Sequence, residues 1–227
     1  MKQKTYFISL QDALYFEDLF NKVLKRDVYS KDKTYSIRSL YFDSIRNRDF
    51  LYAINNEERR DNLRLKIYNN DIHKIKFEVK KQYKDSYKKE TFYIKEKDAH
   101  ELIGGSFTAL LKDKNVEAHK AYILMSTGCY RPKAIVESDR VAYESDSSSI
   151  RITLDYNIRI TESCLNLFKE DLIMHNGIPQ DKVILEIKYL DFIPTYIVDL
   201  CSRLDGKESN INKYCLSRHL SYPQIYR

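Results

Sequence analysis

The chain has 227 residues, enough for one sizeable domain, and 43% of them are hydrophobic, which excludes wholesale disorder. Its net charge of +6 is a modest excess that favours an anionic partner without identifying one. The four cysteines lack metal-ligand spacing, and neither a signal peptide nor a membrane-spanning apolar run is seen, so we expect a reduced, cytoplasmic protein.

Helix and strand patterns follow one another along the first half of the chain. A helix is predicted over residues 10–25, because Ser9 can cap its first turn and Asp12 follows three residues later. The segments after it alternate apolar and polar side chains or are rich in β-branched and aromatic residues, which is typical of strands. These strands are predicted over residues 35–43, 62–68, 75–80 and 87–94, with a turn at 69–71 that makes a hairpin.

The second half begins with helical patterns and then returns to strands. Helices are predicted over residues 97–111 and 117–127, although Gly104 and Gly105 weaken the first. Strands are predicted over residues 132–144, 150–156 and 183–189, and a last helix over 194–204 with Pro194 in its first turn. Residues 211–220 are compatible with either a strand or a helix end.

The functional interpretation depends on the polar faces of these strands. In residues 183–189, VILEIKY, Val183, Leu185 and Ile187 share one face, and Ile184, Glu186 and Lys188 share the other. The other strands repeat this habit, with a cation at the corresponding polar positions. The basic residues are Arg64, Lys66, Lys76, Lys80, Lys89, Arg140, Arg151 and Lys188, and the acidic ones are Glu78, Asp155 and Glu186.

Two arrangements explain these charged faces. In an open antiparallel sheet they would face water. If the sheet closes into a barrel with its apolar faces outward against the helices, the charges line a tunnel instead. Eight cations against three carboxylates would then leave five positive charges for a polyanion such as a phosphate chain to neutralise. An inward carboxylate among so many cations indicates a ligand for Mg²⁺ or Mn²⁺.

Seven short motifs occur in the order found in a known family. They are YSIRSLYFDS, NLRLKIYNN, FEVKK, DRVAY, IRITLDYNIR, ILEIKY and NKY. In this order the sequence resembles the VTC domain, the polyphosphate polymerase domain of the triphosphate tunnel metalloenzymes. The resemblance implies an α+β fold, with a closed antiparallel eight-stranded β-barrel and helices packed outside, formed by residues 1–227 as one domain.

The resemblance also implies a reaction and assigns residues to it. The γ-phosphate of ATP would pass to a polyphosphate chain inside the tunnel, with Mn²⁺ or Mg²⁺ as cofactor. The catalytic residues are then Arg64, Lys66, Lys80, Lys89, Arg140 and Lys213. Substrate-binding residues are predicted at Arg38, Lys76, Arg151, Lys188 and Tyr68, and metal ligands at Glu186, Glu78 and Asp155.

Some positions depart from the family's pattern. Gln3 stands where a glutamate is expected and Thr5 where a lysine is expected, and Ser138 and Asn212 replace a tyrosine and a serine. Lys4 could compensate only if the strand register shifted by one residue, which would reverse its face. We therefore expect weaker binding of metal and phosphate than in typical members.

Three functions stay open at this point. They are an ATP-dependent polyphosphate polymerase, a tunnel triphosphatase, and a non-catalytic module that binds polyphosphate or a similar polyanion, which Gln3 and Thr5 favour. Nucleic-acid binding is disfavoured, because the cations occupy tunnel positions instead of an exposed face. The five histidines show no metal pattern. Family enzymes work with membrane partners, so the resemblance also suggests a membrane partner protein.

Overall fold

The centre of the molecule is a closed antiparallel barrel. The computed structural model describes residues 1–30, 34–145, 149–202, 208–209 and 212–223. Its strands are β1 (Lys2–Ser9), β2 (Lys25–Arg26), β3 (Tyr35–Asp43), β4 (Arg59–Tyr68), β5 (Ile75–Tyr83), β6 (Ser86–Ile94), β7 (Arg131–Glu144), β8 (Ile150–Thr161), β9 (His175–Asn176) and β10 (Lys182–Tyr189). Eight of them follow the order β7-β3-β4-β5-β6-β1-β10-β8, and β8 pairs with β7 to close the ring. The predicted barrel is confirmed.

Helices surround this barrel. They are α1 (Leu10–Val23), α2 (Arg48–Ile54), α3 (Glu96–Ile103), α4 (Val116–Thr127), α5 (Thr195–Ser202) and α6 (Lys213–Ser217), with a 3₁₀ turn at Thr108–Leu111. The predicted cap of α1 is confirmed, because the Ser9 hydroxyl accepts the backbone N–H of Asp12 at 3.0 Å. Among the described residues, no helix is long and apolar enough to cross a membrane.

Three helix predictions need adjustment. The helix predicted over residues 97–111 is two pieces, because Gly105 has a φ of 92° and ends the run after α3. α5 confirms most of the helix predicted over 194–204, and its last two predicted residues lie outside the described residues. The undecided segment 211–220 contains α6, a helix of five residues, and residue 211 is again outside the described part.

The apolar strand faces point outward and form the core with the helices. Leu63 and Leu65 of β4 pack in one buried cluster with Met125 of α4. Leu185 of β10 packs in a second buried cluster with Phe20 of α1. Because side chains alternate along a strand, this outward apolar packing turns the polar faces into the barrel.

Beyond a β-bulge in β8, the inner wall of the barrel is apolar instead of charged. Asn157 has a φ of 48°, and the register between β7 and β8 shifts at this point. Beyond the bulge, Ile158 and Ile160 join Tyr41 and Ile184 in a buried apolar cluster with residues of α2 and α6. This cluster packs α6 against the interior of the barrel.

β1 pairs extensively with its neighbour β10 on one side and hardly at all with β6 on the other. β1 has eight register pairs with β10 but one with β6, between Lys2 and Ser86, among the described residues. A backbone bond from Tyr87 N–H to the Met1 carbonyl at 2.9 Å adds to it. The Lys80 ammonium crosses the same gap and donates to the Gln3 side-chain carbonyl at 3.0 Å. We refer to this junction as the β1–β6 seam.

Candidate active site

The barrel encloses a cavity of about 710 Å³ lined by most of the predicted site residues. Along β4 the lining runs from Arg60 to Tyr68, about 26 Å at roughly 3.3 Å per residue. The predicted catalytic residues that line it are Arg64, Lys66, Lys80, Lys89, Arg140 and Lys213. The other predicted residues in the lining are Lys76, Arg151, Lys188, Tyr68 and Glu186.

Glu78 fixes a guanidinium on the wall of this cavity. Arg64 donates to one Glu78 oxygen through Nε at 2.8 Å and Nη2 at 2.6 Å, and Lys89 lies 3.6 Å from the other oxygen. Burial alone would raise the pKa of Glu78, but Lys66, Arg64 and Lys89 hold it well below its usual value. Glu78 therefore stays ionised and orients Arg64.

A chain of alternating charges connects three strands with α6. Arg140 donates to both oxygens of Asp155 at 2.7 Å, and the Lys213 ammonium lies 2.7 Å from the same carboxylate. Lys213 also pairs with Glu186, whose other oxygen is 2.9 Å from Lys188. Burial opposes ionisation, yet Lys188, Lys213 and Arg140 keep the pKa of Glu186 well below its usual value. The chain thus holds α6 and β10 together across the cavity.

Lys66 and Lys80 form no ion pair with any carboxylate that the structure describes. The Lys80 ammonium bonds to the neutral amide of Gln3, and burial together with Lys188 lowers the pKa of Lys80 to about 7. Lys66 lies 4.8 Å from the ring centroid of Tyr68, and burial lowers its pKa well below the usual value despite Glu78. These two ammonium groups would gain most from an anionic ligand.

Arg38, predicted to bind substrate, lies outside the cavity. It pairs across the strands with Ile67, whose side chain is part of the outer core, so Arg38 points outward as well. Its guanidinium pairs with Glu137 at 2.5 Å and donates to the carbonyls of Leu167 and Lys169 at 3.1 and 2.6 Å. Arg38 is therefore corrected to a residue that anchors the 167–169 segment on the barrel.

The departures on β1 rearrange the wall without shifting its register. Gln3 donates to the Thr5 hydroxyl at 3.1 Å while its carbonyl accepts from Lys80. Lys4 points outward and pairs with Glu208 at 3.0 Å, so it does not replace the expected tunnel lysine. Lys80 from the neighbouring wall is instead the cation that reaches β1.

Comparison with known proteins identifies the family. A family model described as the VTC domain matches residues 1–222. The chain belongs to the VTC domain family. No curated protein matches this VTC domain significantly.

Several solved structures are similar to this VTC domain, and the first of the following three shares its fold. A Hippeastrum protein assigned as an adenylyl cyclase with a dominant triphosphatase activity is 13% identical, with 100% of both chains covered and a TM-score of 0.61. A Pyrococcus horikoshii protein is 12% identical over 94% of this chain and 97% of its own, with a TM-score of 0.46. A Vibrio parahaemolyticus protein assigned as an adenylate cyclase is 9% identical over 99% and 97%, with a TM-score of 0.49.

Tunnel enzymes generally use divalent metals, and one cavity carboxylate of this VTC domain fits such an ion. Glu186 lines the cavity and is paired across the sheet with Thr5 and Thr153. The buried hydroxyl of Thr153 has no hydrogen-bond partner among the described residues. These are hard oxygen donors, and Mg²⁺ is often bound by one carboxylate together with substrate phosphates. Glu186 would therefore hold the metal.

The positions of Glu78 and Asp155 on the barrel wall differ from that of Glu186. Each is covered by the cations described above and neither lines the cavity. Within the described part of the chain, no group of three His, Cys, Asp or Glu side chains could hold a metal. In this structure Glu78 and Asp155 are charge partners of Arg64 and Arg140, and their metal-binding roles stay predictions.

The sequence interpretation missed the contacts that place Lys213. The Tyr214 hydroxyl donates to Asp43 at 2.7 Å, at the end of β3. Asn212 caps α6, because its side-chain carbonyl accepts the backbone N–H of Cys215 at 2.8 Å. The departure from serine at this position therefore keeps a working cap. The asparagine and tyrosine of the NKY motif are the sequence features from which these contacts could have been predicted.

Matched lysine variants separate the inner from the outer arginine. We expect Arg64→Lys to weaken binding of inorganic polyphosphate about tenfold, because a lysine cannot offer the planar fork that Glu78 orients toward the cavity. Arg38→Lys should lower the melting temperature and leave polyphosphate affinity unchanged. Calorimetric titration and thermal unfolding of both variants check this. Equal losses of affinity in the two would contradict the assignment of faces.

Proposed function

We propose that this VTC domain is a metal-dependent polyphosphate polymerase that transfers the γ-phosphate of ATP to a polyphosphate chain. One observation carries the proposal: six cations of the family's motifs lie in one cavity. With Lys188 they make seven cations on the inner wall, whose charge partners are Glu78, Asp155 and Glu186, an excess of four positive charges at the centre of the barrel. The lining as a whole, its open ends included, holds eleven Lys and Arg against nine Asp and Glu side chains. A triphosphate and a phosphate chain would neutralise the central excess.

The charged groups divide into two kinds. Arg64 and Arg140 are fixed by Glu78 and Asp155, so their remaining donors are preorganised before a ligand arrives. Lys66 and Lys80 lack carboxylate partners among the described residues, and they would bind the equatorial phosphate oxygens by charge. Phosphoryl transfer needs in-line positioning and charge neutralisation more than covalent chemistry. The acceptor is already anionic, so no general base is required.

Glu186 would hold the divalent metal in this scheme. The bound ion would supply Lewis-acid stabilisation of charge on the phosphate oxygens. Lys188 and Lys213 keep Glu186 ionised, since their charges hold its pKa well below the usual value despite burial. A metal must therefore compete with two ammonium groups for this carboxylate.

The direct test incubates purified protein with ATP and Mn²⁺ and separates the products on a gel. Long phosphate chains are the expected result. Release of free phosphate or diphosphate alone would indicate a tunnel triphosphatase. Absence of turnover with tight calorimetric binding of polyphosphate would indicate a binding module.

The binding module is the second candidate, and the neutral pair on β1 favours it. Gln3 and Thr5 bond to each other where the family places a glutamate and a lysine. If these departures limit catalysis, we expect the double change Gln3→Glu with Thr5→Lys to raise turnover roughly tenfold. Lys2→Glu with Lys4→Thr, on the same strand but outside the cavity lining, is the control. An unchanged rate in the first variant would mean that β1 does not limit the reaction.

The cellular setting stays a prediction. A cytoplasmic location, a membrane partner protein and a single domain over residues 1–227 are consistent with the family. ATP and polyphosphate, and not nucleic acid, are the proposed ligands, because the seven cations that carry the proposal face the cavity.

A further inference from the structure

Three tyrosines gather at one end of the cavity, beyond the central cations. The rings of Tyr29 and Tyr68 stack with centroids 5.2 Å apart and planes 10° apart. Tyr35 lies 5.7 Å from Tyr29 and 5.9 Å from Tyr68. Tyr29 and Tyr68 both line the cavity, and 48% of Tyr29 is exposed. We call these three residues the tyrosine platform.

Hydrogen bonds fix the described segment 27–30, which carries Tyr29. The Asp27 carboxylate accepts the Ser30 backbone N–H at 2.8 Å and the Tyr35 hydroxyl at 3.1 Å, and it pairs with Arg151 at 2.5 Å. These contacts tie the segment to β3 and β8. Tyr29 is therefore held in place before any ligand binds, which lowers the entropy that binding must overcome.

The platform adjoins the phosphate-binding cations in a fixed order. The ammonium groups of Lys66 and Lys76 lie 4.8 and 4.7 Å from the Tyr68 centroid. Arg64 is four residues farther along β4, about 13 Å away. A ligand along this wall meets aromatic rings first and a row of cations next. That order matches a nucleoside triphosphate, with its base at one end and its phosphates at the other.

We infer that the tyrosine platform binds the nucleobase of the triphosphate substrate, which stacks on the exposed face of Tyr29. This inference rests on the proposed function, because it requires the phosphates to lie among the central cations. Stacking on an aromatic ring accepts every base. The platform thus favours nucleotides over inorganic tripolyphosphate without selecting one base.

The test compares two ligands that differ by the nucleoside. Calorimetric titrations without divalent metal use the full chain with ATP and with inorganic tripolyphosphate. Tyr29→Ala should weaken ATP binding about tenfold and leave tripolyphosphate binding unchanged. Tyr29→Phe, which keeps the ring, should bind both ligands like the wild type. Tyr15→Ala removes a comparably exposed tyrosine from α1 and is the matched control.

Each other outcome is decisive. Equal affinity changes for ATP and tripolyphosphate in Tyr29→Ala would overturn the inference and leave the proposed function standing. Loss of ATP binding in Tyr29→Phe would show that the hydroxyl acts instead of the ring, which also overturns it. Failure of the wild type to bind either ligand would overturn the proposed function itself, and the inference with it.

Discussion

Glu186→Gln should reduce the turnover of ATP by roughly a hundredfold or more, since it removes the carboxylate assigned to the metal. The same change frees Lys188 and Lys213 from the charge that now neutralises them. We therefore expect polyphosphate to bind at least as tightly as in the wild type when a chelator removes divalent ions. Product gels measure the first effect and calorimetry the second.

Glu117→Gln provides a matched control for that variant. Glu117 also accepts from two lysines, Lys81 and Lys120, each at 2.7 Å, but it lies on α4 outside the barrel. Its loss should leave both turnover and polyphosphate affinity unchanged. Full activity of Glu186→Gln would refute the metal assignment. Weaker polyphosphate binding in the presence of chelator would show that Glu186 supports the tunnel in another way.

Lys80→Met should make the protein more stable and a poorer ligand binder. The pKa of Lys80 is about 7 in the folded chain, against an ordinary value of 10.5, because burial and Lys188 disfavour its charge. A charged Lys80 in the folded chain at neutral pH therefore lowers the free energy of unfolding. We expect the variant to gain roughly 1 kcal/mol at pH 7 and to lose about tenfold in polyphosphate affinity. Thermal unfolding and calorimetric titration provide the two measurements.

The pH dependence of that variant follows from the same shift. Between pH 7 and 10.5 the unfolded chain holds more protons at Lys80 than the folded one, so wild-type stability rises with pH across this window. Polyphosphate binds the ammonium form, so its affinity should fall as pH rises above about 7. Both slopes should become shallower in Lys80→Met, with Lys66 and Lys188 still contributing because burial lowers their pKa values too, that of Lys188 to about 8. Both slopes should persist unchanged in Lys81→Met, whose lysine pairs with Glu117 on the outside. Unchanged slopes in Lys80→Met would refute the assignment.

The barrel and most of its lining were predictable because several strands alternate cleanly. In the middle of β4, β5 and β10 the charged residues alternate with apolar ones, so the face that packs on helices determines the face that lines the cavity, and Lys80 keeps this alternation two positions after Glu78. Arg64, Lys80 and Glu186 were placed correctly by that rule. The capped start of α1 followed from local hydrogen bonding in the same way.

Other features depended on contacts that no local pattern encodes. β3 is buried on both faces, so its sequence does not alternate between apolar and polar residues. For this reason Arg38 was assigned to the wrong face of the strand. The bulge at Asn157 reverses which side chains of β8 face the interior of the barrel. The ion pairs of Glu78 with Arg64 and of Asp155 with Arg140 join residues directly opposite each other on consecutive strands, and this register cannot be read from either strand alone.

The β1–β6 seam bears on how a long polymer reaches the interior. A phosphate chain that enters through an open end of the barrel must do so with one of its own ends first. A chain that enters from the side requires two neighbouring strands of the barrel to separate. Parting β1 from β6 breaks one described register pair, while parting β1 from β10 breaks eight. The Lys80–Gln3 bond that spans the seam would be released as Lys80 turns to a phosphate. If polyphosphate is the ligand, as proposed, its binding would therefore weaken the β1–β6 seam, through which a polymer with no free end nearby would enter from the side.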